Sequence, residues 1–501
     1  MMGDIYAAAS ATVIWLGEES SDVKMAFGWL RRFALAWSIP ESGLDLITKS
    51  RAEGPLQAAF GRHRATAFRH LWALLDRQWF TRKWVIQELV KSQRPMLMVG
   101  RLYLSWTLLV LWISFVERCP KAKEEFILAC PVPLEAGGKV LGLSLLRASL
   151  LTRIESTEKQ LLPFLIVRTL EFRCADPRDH IFAMVGIASD ADRFDLIDYR
   201  SPIEIVCRQL ASVCAADIMS LKLLWSLHNF TPLRCRIRSW VPNIESVVSS
   251  RDGGTLVTQF SIQQHKDHNA SGNTVLQTAL YDGGDVLAIR GCIIDKVRLL
   301  GSDMRSLGDG RIVEKVLNRN LYSTRKNIQA MLRRRWEWLG ECMAIAKTSG
   351  ATNIEGALQN ALLGDSFINE EVPQSLAVVR TEFSTQMQLF KAMAHEVNLI
   401  RWFTAVMVSM GLESSNLLES MILEKLQRRF GSTKSGRLGW RTRFAEEGDL
   451  ICIFDGMELS YAIRPCSDGR YLLVSGCIIS GLMTGDGIES FSTSSEIILF
   501  K

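Results

Sequence analysis

The sequence predicts an α/β layer at its beginning, a helix-rich region after it, and a small mainly-β unit at its end. Short apolar runs at residues 12–16 and 96–99 alternate with stretches of helical periodicity, which is the pattern of an α/β unit. Near the end of the chain, turn residues separate three further apolar runs, which predict consecutive strands: 451–454, 459–464 and 471–479.

The first 118 residues justify this fold class element by element. A helix end over residues 4–10 precedes a buried strand that Gly17 closes, and Ser21 and Asp22 are placed to cap the next helix. The composition between residues 39 and 61 is typical of a loop, whereas 65–75 is helical in period. The uncharged run 102–116 is too short to span a bilayer, so we expect a buried helix there.

Composition limits the classes of protein to consider. The chain has 501 residues, of which 48% are hydrophobic and 22% charged, so we expect a folded protein of two or three domains. A net charge of +6 does not argue for nucleic-acid binding. The eleven cysteines include no Cys-x-x-Cys pair and predict buried thiols in a reducing compartment. The N-terminus shows no secretory signal, so we expect a cytoplasmic protein without a membrane span.

The stretch Trp79–Leu89 is the most informative in the chain. If Thr81 caps a helix over residues 81–92, then the pairs Val85/Leu89 and Ile86/Val90 form an inward stripe. Trp84 and Glu88 would then share a neighbouring flank, which places a carboxylate beside an indole. Two interpretations stay open: a carboxylate with a perturbed pKa, or an ordinary exposed acid of a helix.

Three stretches together resemble the signatures of fungal heterokaryon incompatibility (HET) domain proteins. Trp-Phe-x-Arg-x-Trp-x-x-Gln-Glu places Trp79, Arg82, Trp84, Gln87 and Glu88 at motif positions. The other two stretches are Met2–Tyr6 leading to Val13–Gly17, and Asp176–Ala183. The resemblance implies three regions: a partial HET domain over 1–118, a helical HET-associated region over 119–250, and a C-terminal α+β region over 251–501. Residues 239–242, Ser-Trp-Val-Pro, resemble a further short HET motif.

The downstream block contains the motif Asp176, Pro177, Arg178 and Asp179. Asp at the N-cap, Pro at the first helical position and Asp two residues later are suited to a helix start, with Gly186 as the residue that ends the helix. Capping explains most of this motif. We also consider that Arg178 pairs with a carboxylate of the first domain.

The run Trp84–Leu89 also resembles the Trp-Cys-x-x-Glu-Leu motif of Toll/interleukin-1 receptor (TIR) domains, with Val85 at the Cys position. This resemblance implies a partial TIR-like three-layer unit, Glu88 as a candidate catalytic carboxylate, and NAD as the substrate of a complete domain. No other cofactor is implied. In HET proteins a segment with two strands precedes the Met2–Tyr6 block, so we expect the domain to lack its front. We therefore expect no significant NAD cleavage by the chain as given.

Several other chemistries are excluded by the sequence. Gly431–Gly436 has the glycine spacing of a P-loop but continues with Arg437-Leu438, and we predict a surface loop. His265 and His268 have no further ligands around them, so we expect no metal site. The basic cluster Arg333–Arg335 predicts a solvated face of a helix within 313–348, and 374–430 is also helix-rich.

Three functional hypotheses remain. The first is a self/non-self recognition protein whose HET domain triggers cell death, through NAD cleavage or homotypic assembly. The second is a non-enzymatic module that binds other HET or TIR-like domains, or itself, through an apolar patch beside Trp79 and Trp84. The third is an inactive remnant of a TIR-like NAD hydrolase.

Overall fold

The structure is a computed structural model, and it forms two compact units, Met1–Tyr199 and Arg200–Lys501. The described residues are 2–37, 49–129, 148, 151, 160–195, 197–230, 237–249, 268–303, 321–363, 388, 391, 428–485 and 495–501. The predicted region boundaries near residues 118 and 250 separate sequence blocks, not compact units, and stay predictions.

The first unit is mixed α/β. Its helices are α1 Met2–Ala8, α2 Ser21–Trp37, α3 Lys49–Phe60, α4 Arg64–Leu75, α5 Val85–Val90, α6 Trp106–Arg118, α7 Pro120–Leu128, α8 Leu162–Arg168 and α9 Asp179–Val185. Its strands are β1 Thr12–Trp15, β2 Pro95–Val99 and β3 Leu102–Ser105. The predicted strands at 12–16 and 96–99 are therefore confirmed.

These three strands form one sheet in the order β1-β2-β3. β1 runs parallel to β2, with Val13 opposite Met96, and β3 returns antiparallel. The sequence predicted one helix over the run 102–116. This prediction is wrong in part, because residues 102–105 pair with β2 in a hairpin. Ser105 then caps α6, where its hydroxyl accepts a hydrogen bond from the Thr107 amide at 3.3 Å.

An aromatic cluster fills the core between α2, α3, α4 and α6. Phe33 meets Trp112 edge-on with ring centroids 5.1 Å apart, and Phe60 contacts both rings. This burial explains why residues 49–60 form α3 instead of the predicted loop: Leu56 and Phe60 gain more by packing than Gly54 and Pro55 cost. Residues 38–48 of that prediction lie outside the described residues.

The second unit combines helices with a mainly antiparallel sheet. Its helices are α10 Ile203–Cys214, α11 Ile218–Trp225, α12 Ile244–Ser249, α13 Leu321–Lys347 and α14 Ile354–Leu363. Its strands are β4 Thr278–Tyr281, β5 Val286–Leu300, β6 Arg428–Thr433, β7 Leu438–Thr442, β8 Leu450–Phe454, β9 Ser460–Pro465, β10 Tyr471–Ile479 and β11 Glu496–Phe500. The three predicted strands near the C-terminus are confirmed as β8, β9 and β10.

The strand pairings of this sheet return to their starting point. β5 pairs with β6, then β7, β10, β9 and β8 follow in turn, and β8 pairs with β5 again. β5 is one strand with an irregularity between Ile293 and Asp295.

Two predictions about the second unit are wrong in part. Residues 431–433 of the predicted surface loop belong to β6. Gly431 lets β6 approach β5 closely, because a Cβ there would lie 2.4 Å from the Leu299 carbonyl oxygen. The basic cluster is not wholly solvated, since Arg335 is buried while Arg333 and Arg334 are exposed. The neighbouring Trp338 stacks on Trp440 at 5.9 Å.

Helix content was predicted for two stretches of the second unit. Residues 321–347 of the first stretch, 313–348, are helical as α13. Most of the second, 374–430, lies outside the described residues, and 428–430 belong to β6. Among the residues that the structure describes, no helix has both the length and the apolar character that crossing a bilayer requires.

Candidate functional site

The Trp79–Leu89 segment changes conformation twice along its length. Gln78–Thr81 is a turn of 3-10 helix, Arg82 is extended, and α5 begins only at Val85. The prediction of a helix over 81–92 capped by Thr81 is therefore wrong. Backbone pairing explains the difference: the Lys83 amide donates to the Arg173 carbonyl at 2.8 Å, and the Arg173 amide to the Thr81 carbonyl at 2.6 Å. A helix cannot accommodate these bonds.

The apolar residues of the segment face the interior as predicted. Val85, Ile86 and Leu89 are buried, although Val90 is only half-buried. Trp79 is 6% exposed and meets Trp106 with ring centroids 5.9 Å apart. The sequence correctly predicted an inward apolar stripe, but the helix that carries it is shorter.

Glu88 is half-buried and lies close to two residues of the signature stretches. The Trp79 indole Nε1 donates to Glu88 Oε2 at 3.3 Å, and Tyr6 lies near enough to sense the charge of this carboxylate. The indole that hydrogen-bonds to Glu88 belongs to Trp79, whereas the sequence pattern paired Glu88 with Trp84. Burial, then the negative charge of Glu88, raises the pKa of Tyr6, while the positive charge of Arg82 opposes this rise. Residues from two signature stretches therefore meet at one carboxylate.

Gln87 lies between the first signature stretch and the end of the helix that the third stretch begins. Its buried amide lies against Gly3 of α1 and against Gly186, which follows α9. A Cβ atom at Gly186 would be 2.0 Å from Gln87 Nε2, and one at Gly3 would be 3.5 Å from it. Gly186 ends its helix, as predicted, but its φ of −66° is not the left-handed conformation common at helix ends. Position 186 requires glycine because there is no room for a side chain beside Gln87, and not because of its backbone angles.

Lys83, within the segment, is a fully buried lysine that the sequence did not identify as important. Lys83 Nζ donates to the Thr169 carbonyl at 2.9 Å and to the Thr169 hydroxyl. Burial lowers the pKa of Lys83 to about 7 and raises that of the nearby Cys174 thiol to about 11. Burial, followed by the charge of Lys83, lowers the pKa of His180 to about 3. Lys83 occupies an unspecified position of the signature, so no sequence signal identified it.

The Asp176–Asp179 motif forms a cluster of its own. Asp176 accepts from the Arg178 amide at 2.9 Å, and its two oxygens accept from Arg178 Nε at 2.9 Å and Nη2 at 2.6 Å. These bonds lower the pKa of Asp176. The carboxylate recorded beside Arg178 is thus its own neighbour, whereas a partner within residues 1–118 was predicted. Because Asp176 closes this turn, α9 begins only at Asp179.

Tyr199 completes that cluster. Its hydroxyl donates to Asp179 Oδ1 at 2.6 Å, and its carbonyl accepts from Arg178 Nη1 at 2.5 Å. The guanidinium carbon of Arg178 also lies 5.3 Å from the centre of the Tyr199 ring. Pro177 is half-buried, and its carbonyl accepts from the His180 amide. The motif therefore orders a loop, and the structure records no contact of its side chains with Glu88 in the described residues.

Two remaining sequence features lie in the second unit. Trp240 of the Ser-Trp-Val-Pro stretch is fully buried, and its indole donates to the Asp285 carbonyl at 3.4 Å, which is a packing role. His268 is buried, while His265 lies outside the described residues. Within the described ranges, no three His, Cys, Asp or Glu side chains stand close enough together to hold a metal ion.

Comparison with known proteins gives one match. Residues 1–88 match the family described as Heterokaryon incompatibility protein (HET), and the match extends from α1 to Glu88. No curated protein and no solved structure matches the chain. The matched residues include Gly3, Tyr6, Trp79, Gln87 and Glu88, which the fold brings together. Residues 1–88 are a HET domain, and the chain is a HET domain-containing protein of the heterokaryon incompatibility family.

Proposed function

We propose that this protein acts in self/non-self recognition, that its HET domain triggers programmed cell death, and that Glu88 is the functional carboxylate of that domain. The supporting observation is that two signature stretches meet at Glu88: Trp79 Nε1 donates to it at 3.3 Å, and burial together with its charge raises the pKa of Tyr6. The indole hydrogen bond orients one half-buried acid, which is how binding and catalytic groups are positioned.

The chemistry that suits this carboxylate is recognition of sugar hydroxyls. An oriented carboxylate can accept hydrogen bonds from a ribose and stabilise an oxocarbenium-like transition state. The resemblance of Trp84–Leu89 to the TIR motif implies this chemistry for NAD. Cleavage also needs a closed, water-poor cleft, and Glu88 is partly open to water. We therefore expect no significant NAD cleavage by this chain alone.

Expression of the whole chain in fungal cells tests the proposal. Viability should fall with the original chain and recover with Glu88→Gln, which removes the charge but keeps the shape. Glu18→Gln, at an exposed acid of the same unit, is the matched control and should kill as the original does. Nicotinamide release by the purified proteins, measured in parallel, should stay at background. Equal killing by Glu88→Gln would exclude Glu88 as the functional group.

A second candidate function is homotypic assembly, which an exposed apolar strand favours. Val13 and Trp15 on β1 are 53% and 47% exposed, and Ile5 on α1 is 65% exposed. The apolar patch predicted beside Trp79 and Trp84 is not there, since Trp79 is buried and Trp84 half-buried. We propose that other HET or TIR-like domains, or a second copy, cover β1. Light scattering of the original chain and of Trp15→Lys tests this: equal masses at all concentrations would reject self-association.

A further inference from the structure

Part of the signature lies side by side with a short segment from further along the chain. Residues 81–83 and 172–174 are joined by the two backbone bonds between Lys83, Arg173 and Thr81, and Arg82 is paired with Arg173 in a parallel bridge. Neighbouring strands lie about 5 Å apart, and paired residues project their side chains to the same side. The two arginines therefore start from adjacent positions and point in the same direction.

Burial shows which side that is. The flanking residues Lys83 and Phe172 are fully buried, and Cys174 is half-buried. Arg82 and Arg173 are both exposed, so the paired residues face solvent. The bridge thus displays two guanidinium groups together at the surface.

This arrangement does not serve stability. Like charges on directly paired residues repel each other, which costs free energy unless an anion lies between them. Within the described part of the chain, the structure records neither an ion pair nor a side-chain hydrogen bond for Arg82 or Arg173. The neighbouring Lys83 brings no carboxylate close to the pair, because it is hydrogen-bonded to Thr169. The two arginines therefore form a cationic surface, and the described residues supply no carboxylate partner for it.

We infer that Arg82 and Arg173 form a clamp for adjacent phosphate groups, so that the ligand of this domain carries a diphosphate. Each guanidinium group can donate two parallel hydrogen bonds to the oxygens of one phosphate. Two adjacent guanidinium groups therefore match a diphosphate better than they match a single phosphate. The charges of Arg82 and Glu88 both act on Tyr6, so the clamp lies on the Glu88 side of the domain. Only the placement of a sugar at Glu88 rests on the proposed function.

Isothermal titration of the whole chain with inorganic pyrophosphate tests the clamp, with inorganic phosphate and ADP-ribose as comparison ligands. We expect pyrophosphate to bind more tightly than phosphate. Arg82→Ala and Arg173→Ala should each weaken pyrophosphate binding roughly tenfold, as expected for a lost charge-assisted contact. Arg82→Lys, which keeps the charge but not the fork, should lie between. Arg101→Ala, at an exposed arginine in the β2–β3 turn, is the matched control and should bind normally.

The outcomes separate this inference from the proposed function. Glu88→Gln should weaken ADP-ribose binding, whereas pyrophosphate, which has no sugar, should bind at least as tightly as it does to the original chain. If ADP-ribose binding does not weaken, the sugar site is wrong while the clamp stands. Absence of pyrophosphate binding by the original chain, or equal binding by Arg82→Ala and Arg173→Ala, would overturn the clamp. Because both side chains are exposed, matching circular dichroism spectra should show that these variants fold.

Discussion

The buried and exposed sides of the Trp79–Leu89 segment differ in what holds their polar groups. On the buried side, Lys83 is bonded to Thr169 and the Gln87 amide lies against Gly186. On the other side, Arg82 is exposed and Glu88 is half-buried. Neighbouring residues of one signature therefore do different work: Lys83 and Gln87 fix the structure, while Arg82 and Glu88 remain available to a ligand.

This difference predicts how the two sides respond to substitution. Changes on the buried side should lower the free energy of unfolding, because they leave cavities, clashes or unpaired polar groups in a packed interior. Changes on the exposed side should alter binding and leave stability within about 0.5 kcal/mol. Three experiments on the buried side test this contrast.

The largest effect is expected for Trp79→Ala. The indole is buried against Trp106, and its loss should cost about 3–5 kcal/mol in the free energy of unfolding. Urea denaturation measures the change. Trp84→Ala is the matched control, and since Trp84 is only half-buried its cost should be clearly smaller. A larger cost for Trp84→Ala than for Trp79→Ala would contradict this assignment of Trp79 as the core indole.

Lys83→Met should make stability less dependent on pH. The lysine pKa is about 7 in the folded chain, below the ordinary value of 10.5, so between these values the unfolded chain binds one more proton. Stability from this group therefore rises with pH, by about 1.4 kcal/mol per pH unit.

The measurement for Lys83→Met is urea denaturation of both proteins at pH 7, 8 and 9. The advantage of the methionine variant should be greatest at pH 7 and shrink by roughly 2 kcal/mol at pH 9. The difference between the two proteins isolates Lys83 from the thiols and phenols that titrate in the same range. A constant difference across this range would show that Lys83 stays charged in the folded chain.

The smallest of the three effects is expected for Gly186→Ala. The added Cβ would lie 2.0 Å from Gln87 Nε2, so the buried amide must move, at a cost of about 1–3 kcal/mol. In a Gln87→Ala background the obstacle is gone, and the same change should cost much less. A double-mutant cycle measures this coupling. Equal costs in both backgrounds would show that Gly186 does not hold Gln87.

Local patterns predicted most elements but not the contacts that form the site. The apolar runs of β1, β2 and β8 to β10 identified those strands without knowledge of their partners. The start of α5 was misplaced because Arg173, far along the chain, pairs with residues 81–83. Gly186 was correctly marked as special, but for the wrong reason, since Gln87 is not near it in sequence. Such long-range contacts leave no periodic signal.

The central strand β5 has a consequence for how the second unit folds. It pairs with β4, β6, β8 and β11, and Arg290 hydrogen-bonds to Ser495, 205 residues further along the chain. Each long-range pairing must close a large loop before it gains any contact, and folding is slower in chains where such distant pairings dominate. During synthesis, β5 therefore leaves the ribosome well before β6, β8 and β11 exist. We expect this apolar strand to need protection by chaperones until synthesis ends.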